Sequence, residues 1–220
     1  MDFETEEQQI EAIKKWWKEN SNMIIGGIAV GVSAIFGWQY YQSQSIVHTE
    51  NASVLYEQVT INLENPSAMN EQMARVNELQ AEYSDTPYAG LGSLLLSKQQ
   101  MASGEFVKAQ QQLEWLISNA QQDEVKYLAK IRLARLLSNQ LQIDKAIAIL
   151  NESFPDSFKA MVYELKGDVL ILKGDISQAR SAYQQALSTS ISPGRWLQQK
   201  IDDIGLPENK ITTEKSEPSA

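Results

Sequence analysis

The hydrophobic pattern divides the chain into one unbroken apolar run and a long region of helical periodicity. The run covers residues 23–41, MIIGGIAVGVSAIFGWQYY, and no charged residue lies between Asn20 and Val47. At about 1.5 Å rise per residue it spans roughly 28 Å, close to the thickness of a bilayer core. A helix satisfies its own backbone in lipid, so the pattern predicts a transmembrane helix over 23–41. Trp16 and Trp17 precede it, and Trp38, Tyr40 and Tyr41 close it, as interfacial aromatic belts do. A buried core helix would need no such belts, and Gly26, Gly27, Gly31 and Gly37 would weaken it in water. No small-x-small cleavage site follows, which favours an uncleaved anchor over a signal peptide.

After Tyr41 apolar residues recur every three or four positions, with no sustained alternation and no Asn-Gly or Asp-Gly hairpin turn. The predicted class is all-α. A helix pair is expected over 46–83, through Val54, Leu55, Val59 and Ile61, then Met69, Met73, Val76 and Leu79, with Asn65-Pro66-Ser67 as the break. Asp85-Thr86-Pro87 starts the next helix. At the far end Trp196, Leu197 and Ile201 predict a capping helix over 195–204, stopped by Gly205 and Pro207. Residues 206–220 are polar and expected to be disordered.

Three segments of the helical region align: SGEFVKAQQQL (103–113), QLQIDKAIAIL (140–150) and KGDISQARSAY (173–183). Each places an alanine (Ala109, Ala146, Ala179) four residues before a large residue (Leu113, Leu150, Tyr183). Twelve residues before each alanine stands Ser97, Ala134 or Gly167. Small residues on two helices joined by a tight turn let the helices touch, and larger neighbours fill the space around them. The alanines are 37 and 33 residues apart, a period resembling the tetratricopeptide repeat. Copies are expected near 90–123, 127–160 and 160–193, the last clearest, with Tyr163, Gly167, Gly174, Ala179, Tyr183, Ala186 and Pro193 near signature positions. Ser93 and Lys130 depart from the expected aromatic, and Lys166 from the expected leucine. The predicted architecture is a single transmembrane helix followed by a tetratricopeptide-repeat-like α-solenoid over 42–205.

Charge sets the orientation and narrows the function. Lys14, Lys15 and Lys18 precede the span, and the next Lys or Arg after it is Arg75, so the N-terminus is expected in the cytoplasm and the repeats outside it. The leader, 1–22, carries Ile10, Ile13 and Trp17 at helical spacing; it either only sets topology or offers a docking surface. Within the span Gly27 and Gly31 form a GxxxG pair, and Ser33 with Gly37 a second small pair; both suit close helix packing, or simply a glycine-rich span facing lipid. Net charge is −9 over 220 residues, with no basic stripe, which argues against nucleic acid. The chain has no cysteine and one histidine, His48, beside no nucleophile or ligand pattern. No phosphate loop or nucleophile elbow occurs, and no catalytic, metal or cofactor site is expected.

In a tetratricopeptide array the first helix of each repeat lines a concave groove. The corresponding positions here are Leu91, Leu94, Lys98 and Met101; Leu128, Ile131, Arg135 and Ser138; and Met161, Glu164, Asp168 and Ile171. Lys98, Met101, Arg135, Ser138, Met161, Glu164 and Asp168 are the candidate groove residues. The alternative is that the apolar ones are core and the charges solvated.

The Lys14-Lys15-Trp16-Trp17 boundary, the Gly37-Trp38-Gln39-Tyr40-Tyr41 exit, IRLARLL (131–137) and LKGDVLILKGDISQARSAYQQAL (165–187) together resemble the ancillary SecYEG translocon subunit family (YfgM-like proteins) of Gram-negative bacteria. The similarity covers about residues 5–205. It implies a non-enzymatic inner-membrane protein beside the SecYEG channel, with its repeats in the periplasm. Implied partners are the translocon, membrane lipid, a membrane-anchored periplasmic chaperone of the PpiD type, translocating client proteins and a cytoplasmic response regulator. A generic membrane-anchored scaffold for envelope assembly, division or stress signalling shares every feature read from the residues.

Overall fold

The computed structural model describes residues 6–61, 66–190 and 194–205. Residues 1–5 of the leader, Asn65 of the expected break, Pro193 and the tail from 206 to 220 lie outside these. The elements are α1 (Glu6–Ile61), a 3-10 turn (Pro66–Ala68), α2 (Met69–Glu82), α3 (Pro87–Ala102), α4 (Phe106–Asn119), α5 (Asp123–Asn139), α6 (Ile143–Leu150), α7 (Asp156–Lys173), α8 (Ile176–Thr189) and α9 (Arg195–Asp203). The fold is all-helical, and no strand occurs among the described residues. The chain forms two compact units that divide between Asn51 and Ala52.

The first unit is a single stretch of α1. Residues of the leader, the apolar run and the start of the expected 46–83 pair all lie in this one helix, Glu6–Ile61. No proline interrupts this stretch, and its polar residues bond back along the helix instead of capping an end. Asn20 Nδ2 donates to the Trp16 carbonyl at 2.9 Å, and Ser33 Oγ to the Ala29 carbonyl at 2.8 Å. The hydroxyl of Ser33 therefore needs no water. The large apolar residues, among them Ile13, Ile28, Val30 and Phe36, are exposed. A Cβ added at Gly26, Gly27, Gly31 or Gly37 would meet nothing within 4 Å among the described residues.

The second unit begins with the last turns of α1 and stacks its helices in chain order. α3–α4, α5–α6 and α7–α8 are hairpins, and the first helices also touch, α3 to α5 and α5 to α7. Ala109, Ala134, Ala146 and Ala179 are fully buried, as is Ser97, whose hydroxyl donates to the Leu94 carbonyl at 2.8 Å. Gly167 packs against the Tyr183 ring. The main core runs from α3 to α7 through Leu113, Leu116, Leu133, Leu136 and Val169. An N-terminal cluster joins Ala52 and Val59 of α1 to Val76, Leu79 and Leu96. At the other end Leu197 and Ile201 of α9 cover Tyr183 and Ala186.

The three hairpin turns share one geometry. Gly104, Leu141 and Gly174 have φ of 77°, 60° and 83°. In each the next amide bonds back into the preceding helix: Glu105 N to Gln100 O (2.7 Å), Gln142 N to Leu137 O (2.9 Å) and Asp175 N to Leu170 O (3.0 Å). Glycine adopts this left-handed conformation freely, but leucine pays about 1–2 kcal/mol. Leu141 is 76% exposed, so its side chain returns little burial energy. Leu141→Gly is expected to stabilise the second unit by about 0.5–1 kcal/mol, relief of strain exceeding the entropy cost of glycine. A higher urea midpoint by far-UV circular dichroism would show it; a lower midpoint would mean that the leucine is held by contacts outweighing its strain.

Candidate protein-binding face

The first helices α3, α5 and α7 carry the candidate groove residues, and the structure gathers five of the seven into two clusters. On the α3–α5 side a cavity of about 240 Å³ is lined by Ser97, Lys98 and Met101 from α3 and by Arg132 and Arg135 from α5. Lys98 and Met101 are one turn apart on α3, and Arg132 and Arg135 one turn apart on α5, so each pair shares a helix face. Arg132 reaches across to α3, where Nη1 donates to the Leu94 carbonyl at 3.2 Å. Its burial, and then the neighbouring charge of Arg135, pushes its pKa below the ordinary arginine value. A guanidinium nonetheless stays cationic at neutral pH. The site is thus basic, with a polarizable thioether in its lining.

On the α7 side the two acids are engaged within the chain. Lys200 of α9 donates to Glu164 Oε1 at 3.0 Å and to Asp168 Oδ1 at 2.6 Å. Tyr183 Oη also donates to Asp168 Oδ1, at 2.7 Å. The ammonium stands over the Tyr183 and Trp196 rings, 5.5 and 5.6 Å from their centroids. Partial burial works against the charged lysine, but the Asp168 and Glu164 carboxylates outweigh it and hold its pKa above the ordinary value. Burial, and then the bond to Asp168, also raises the Tyr183 hydroxyl. Both groups hold their protons more tightly folded than unfolded. Their contribution is therefore complete at neutral pH and is lost as pH rises beyond the unfolded values, 10.0 for the tyrosine and 10.5 for the lysine. In a variant keeping Trp196 as its one tryptophan, fluorescence is expected to stay constant from about pH 6 to 9 and to report release of α9 only at higher pH; a change centred near neutrality would contradict the ion cluster.

Of the remaining candidates, Met161 is 44% exposed and lines neither cluster. Ser138 is buried, and its hydroxyl donates to the Arg135 carbonyl at 2.8 Å, so it is not offered to the cavity. Leu94 and Ile131 are core, and Leu91 is exposed. Arg132 and Lys200 were missed by the repeat positions. Arg132 could have been found from its i,i+3 relation to Arg135. Lys200 stands four residues after Trp196 on the same helix face, but its partners on α7 leave no trace in local periodicity.

Comparison with known proteins places this arrangement. A family model described as a tetratricopeptide repeat-like domain matches residues 14–206. The chain is 28% identical to the ancillary SecYEG translocon subunit of Escherichia coli K12, over 93% of this chain and 98% of that one. It is 31% identical to the protein of the same name from Haemophilus influenzae (91% and 96%), and 32% to that from Aggregatibacter actinomycetemcomitans (82% and 88%). No solved structure gives a significant match. A repeat-like helical unit preceded by a long apolar helix, matched over most of the chain by these relatives, means that the chain belongs to the ancillary SecYEG translocon subunit family.

Proposed function

We propose that the chain is a non-enzymatic, single-pass subunit of the bacterial inner membrane that accompanies the SecYEG translocon and offers its repeat unit to polypeptides outside the cytoplasm. The observation that carries this reading is the pairing, in one chain, of an exposed apolar helix with a repeat unit of the family. The helix contains an 18-residue window of mean hydropathy 1.5, none of it buried, which is long and apolar enough to cross a bilayer. The lysines at 14, 15 and 18 orient it with the N-terminus inside. The relatives' name supports the translocon as partner. Handing translocated chains to a membrane-anchored periplasmic chaperone of the PpiD type is the finer role, and the groove is the surface for it.

Photo-crosslinkers at Gly27 and Met101 test the two halves separately. Adducts to channel subunits from Gly27, and to a periplasmic chaperone or a translocating chain from Met101, support the reading. Adducts only to cell-wall or division proteins reject it. A reporter fused after Ser216 must be active only outside the cytoplasm. Because a Cβ at Gly27 meets nothing within 4 Å among the described residues, Gly27→Leu is expected to leave the repeat unit folded and to abolish co-purification of the membrane partner. Recovery at the normal level would show that the Gly27 face touches only lipid.

A further inference from the structure

We propose that the edge of the second unit formed by its three hairpin turns is a docking surface for a short, uncharged, apolar segment of another polypeptide. This deepens the reading of the repeat unit as a polypeptide-binding module and rests on it, but it uses a surface other than the first-helix groove.

The first support is where the exposed apolar residues lie. Among the described residues, ten large apolar side chains of the second unit are exposed, and five of them stand within three residues of a positive-φ turn position. They are Phe106 and Val107 after Gly104, Leu141 itself, and Leu172 and Ile176 on either side of Gly174. Leu141 and Val107, 76% and 71% exposed, are the barest of the ten. The loops at the other end of the stack, 120–122 and 151–155, expose no large apolar residue; Ala120 and Phe154 there are buried. Both ends of the hairpins meet solvent, so the need to turn does not explain the contrast.

The second support is that the turns make one surface. Lys173, at the end of α7, donates to Asp144 Oδ1 in the first turn of α6 at 2.7 Å, which joins the third turn to the second. Met101 and Arg135, near the C-terminal ends of α3 and α5, line one cavity, which joins the second turn to the first. Leu141 stands at the centre of this row in a left-handed conformation that glycine would hold without strain. A nearly bare leucine gains little from its own chain in return for that strain, and a contact from outside supplies the gain.

Size and charge select the occupant. The exposed parts of the five side chains amount to roughly 500 Å², comparable to the largest apolar patch of a monomer and short of the ~800 Å² that each partner gives to a standard interface. A stable dimer of this chain needs more area; a short peptide does not. Within four residues of the turn positions stand three acids, Glu105, Asp144 and Asp175, and three lysines, Lys108, Lys145 and Lys173, so the edge is neutral in a chain of net charge −9. Glu105 pairs with Lys108, and Asp144 with Lys173. An anionic bilayer surface calls for a basic face, which this is not. Neighbouring first helices at 8–10 Å put the outer turns about 20 Å apart, the reach of about six extended residues.

The chain has no cysteine, so single cysteines place a crosslinker at will. Full-length Val107→Cys, Leu141→Cys and Leu172→Cys chains, with Gln121→Cys and Glu124→Cys at the opposite end as controls, are labelled with benzophenone maleimide in detergent. Each is illuminated with a fluorescein-labelled octapeptide amide of alternating leucine and serine, or with one carrying asparagine in place of leucine. The edge positions are expected to yield at least about fivefold more leucine-peptide adduct than the controls, and the asparagine peptide only the control level. Leu141→Ser added to the Val107→Cys and Leu172→Cys chains should lower their yield at least about twofold, with an unchanged far-UV circular dichroism spectrum. Equal yield at edge and control positions, equal yield for the two peptides, or no effect of Leu141→Ser would overturn the proposal. Edge adducts between two copies of the chain in preference to peptide would assign the edge to self-association, and edge adducts to lipid alone in phosphatidylglycerol-containing vesicles would assign it to the bilayer; either overturns it. Crosslinking from Gly27 separates the two levels: channel adducts from Gly27 without an edge preference sink this inference alone, whereas an edge preference with Gly27 adducts only to cell-wall or division proteins sinks the translocon reading alone.

Discussion

Gly167→Leu is expected to destabilise the second unit by about 3 kcal/mol or more, enough to melt the α7–α8 hairpin at physiological temperature. Any Cβ at residue 167 overlaps the Tyr183 ring, with Cζ at 2.8 Å. That ring cannot swing aside cheaply. Tyr183 is 3% exposed, its hydroxyl is bonded to Asp168, and it packs under Leu197 and Ile201. Moving it therefore disturbs the α7–α8 contact and the seat of α9 together. Gly167→Ala should cost less, about 1–2 kcal/mol. Exchanging the partners, Gly167→Ala with Tyr183→Leu, should recover part of the loss, because the smaller ring-less side chain leaves room for the methyl. Urea denaturation followed by far-UV circular dichroism measures all three. Gly167→Leu within about 0.5 kcal/mol of the unsubstituted chain would mean that α7 and α8 do not cross at this point.

Leu136→Ala is expected to cost about 3 kcal/mol and to act unevenly along the array. Leu136 is fully buried in the main cluster, among Leu113, Leu133 and Ala146. Its loss leaves a cavity that close-packed helices cannot collapse to fill. In a stack where each hairpin contacts only its neighbours, the damage stays near the α5–α6 pair. Trp115 packs against the clusters on the α3–α5 side, whereas Trp196 sits on α9 beside Lys200. In variants keeping only one of the chain's five tryptophans, Trp115 should report an earlier transition than Trp196. Coincident transitions, shifted equally, would show the array unfolding as one cooperative block.

These two positions also mark what the sequence discloses. Gly167, Ala109, Ala146 and Ala179 stand out because two helices cannot approach closely over a large side chain, so the packing leaves its mark on residue size. The helical class was visible for a related reason: apolar residues at three- and four-residue spacing have no use in a strand. Leu141 is different. It occupies the turn position held by Gly104 and Gly174, yet leucine carries no turn signal, and only the register of the neighbouring repeats points to it. The continuity of α1 was hidden because polarity, not helix-breaking, changes along it. The candidate face was the least readable part. Whether Glu164 and Asp168 stay open depends on how α9 docks on α7, and that is fixed by tertiary contacts 32 to 36 residues away.

The positive-φ turns at residues 104, 141 and 174 leave unequal gaps, the first longer by four residues. The separation between facing small residues is the same in every hairpin, so the difference falls outside the contact, where α4 has 14 residues and α6 only 8, and the loop that follows is residues 120–122 in the first case and 151–155 in the second. The added stretch of α4 is not a whole number of turns, and at about 3.6 residues per turn it leaves the helix end rotated by about 240°. It extends the helix past the crossing, so the buried side is unchanged and the loop absorbs the rotation. Insertions and deletions among relatives should therefore gather beyond the crossings, at the ends of the second helices and in the loops after them.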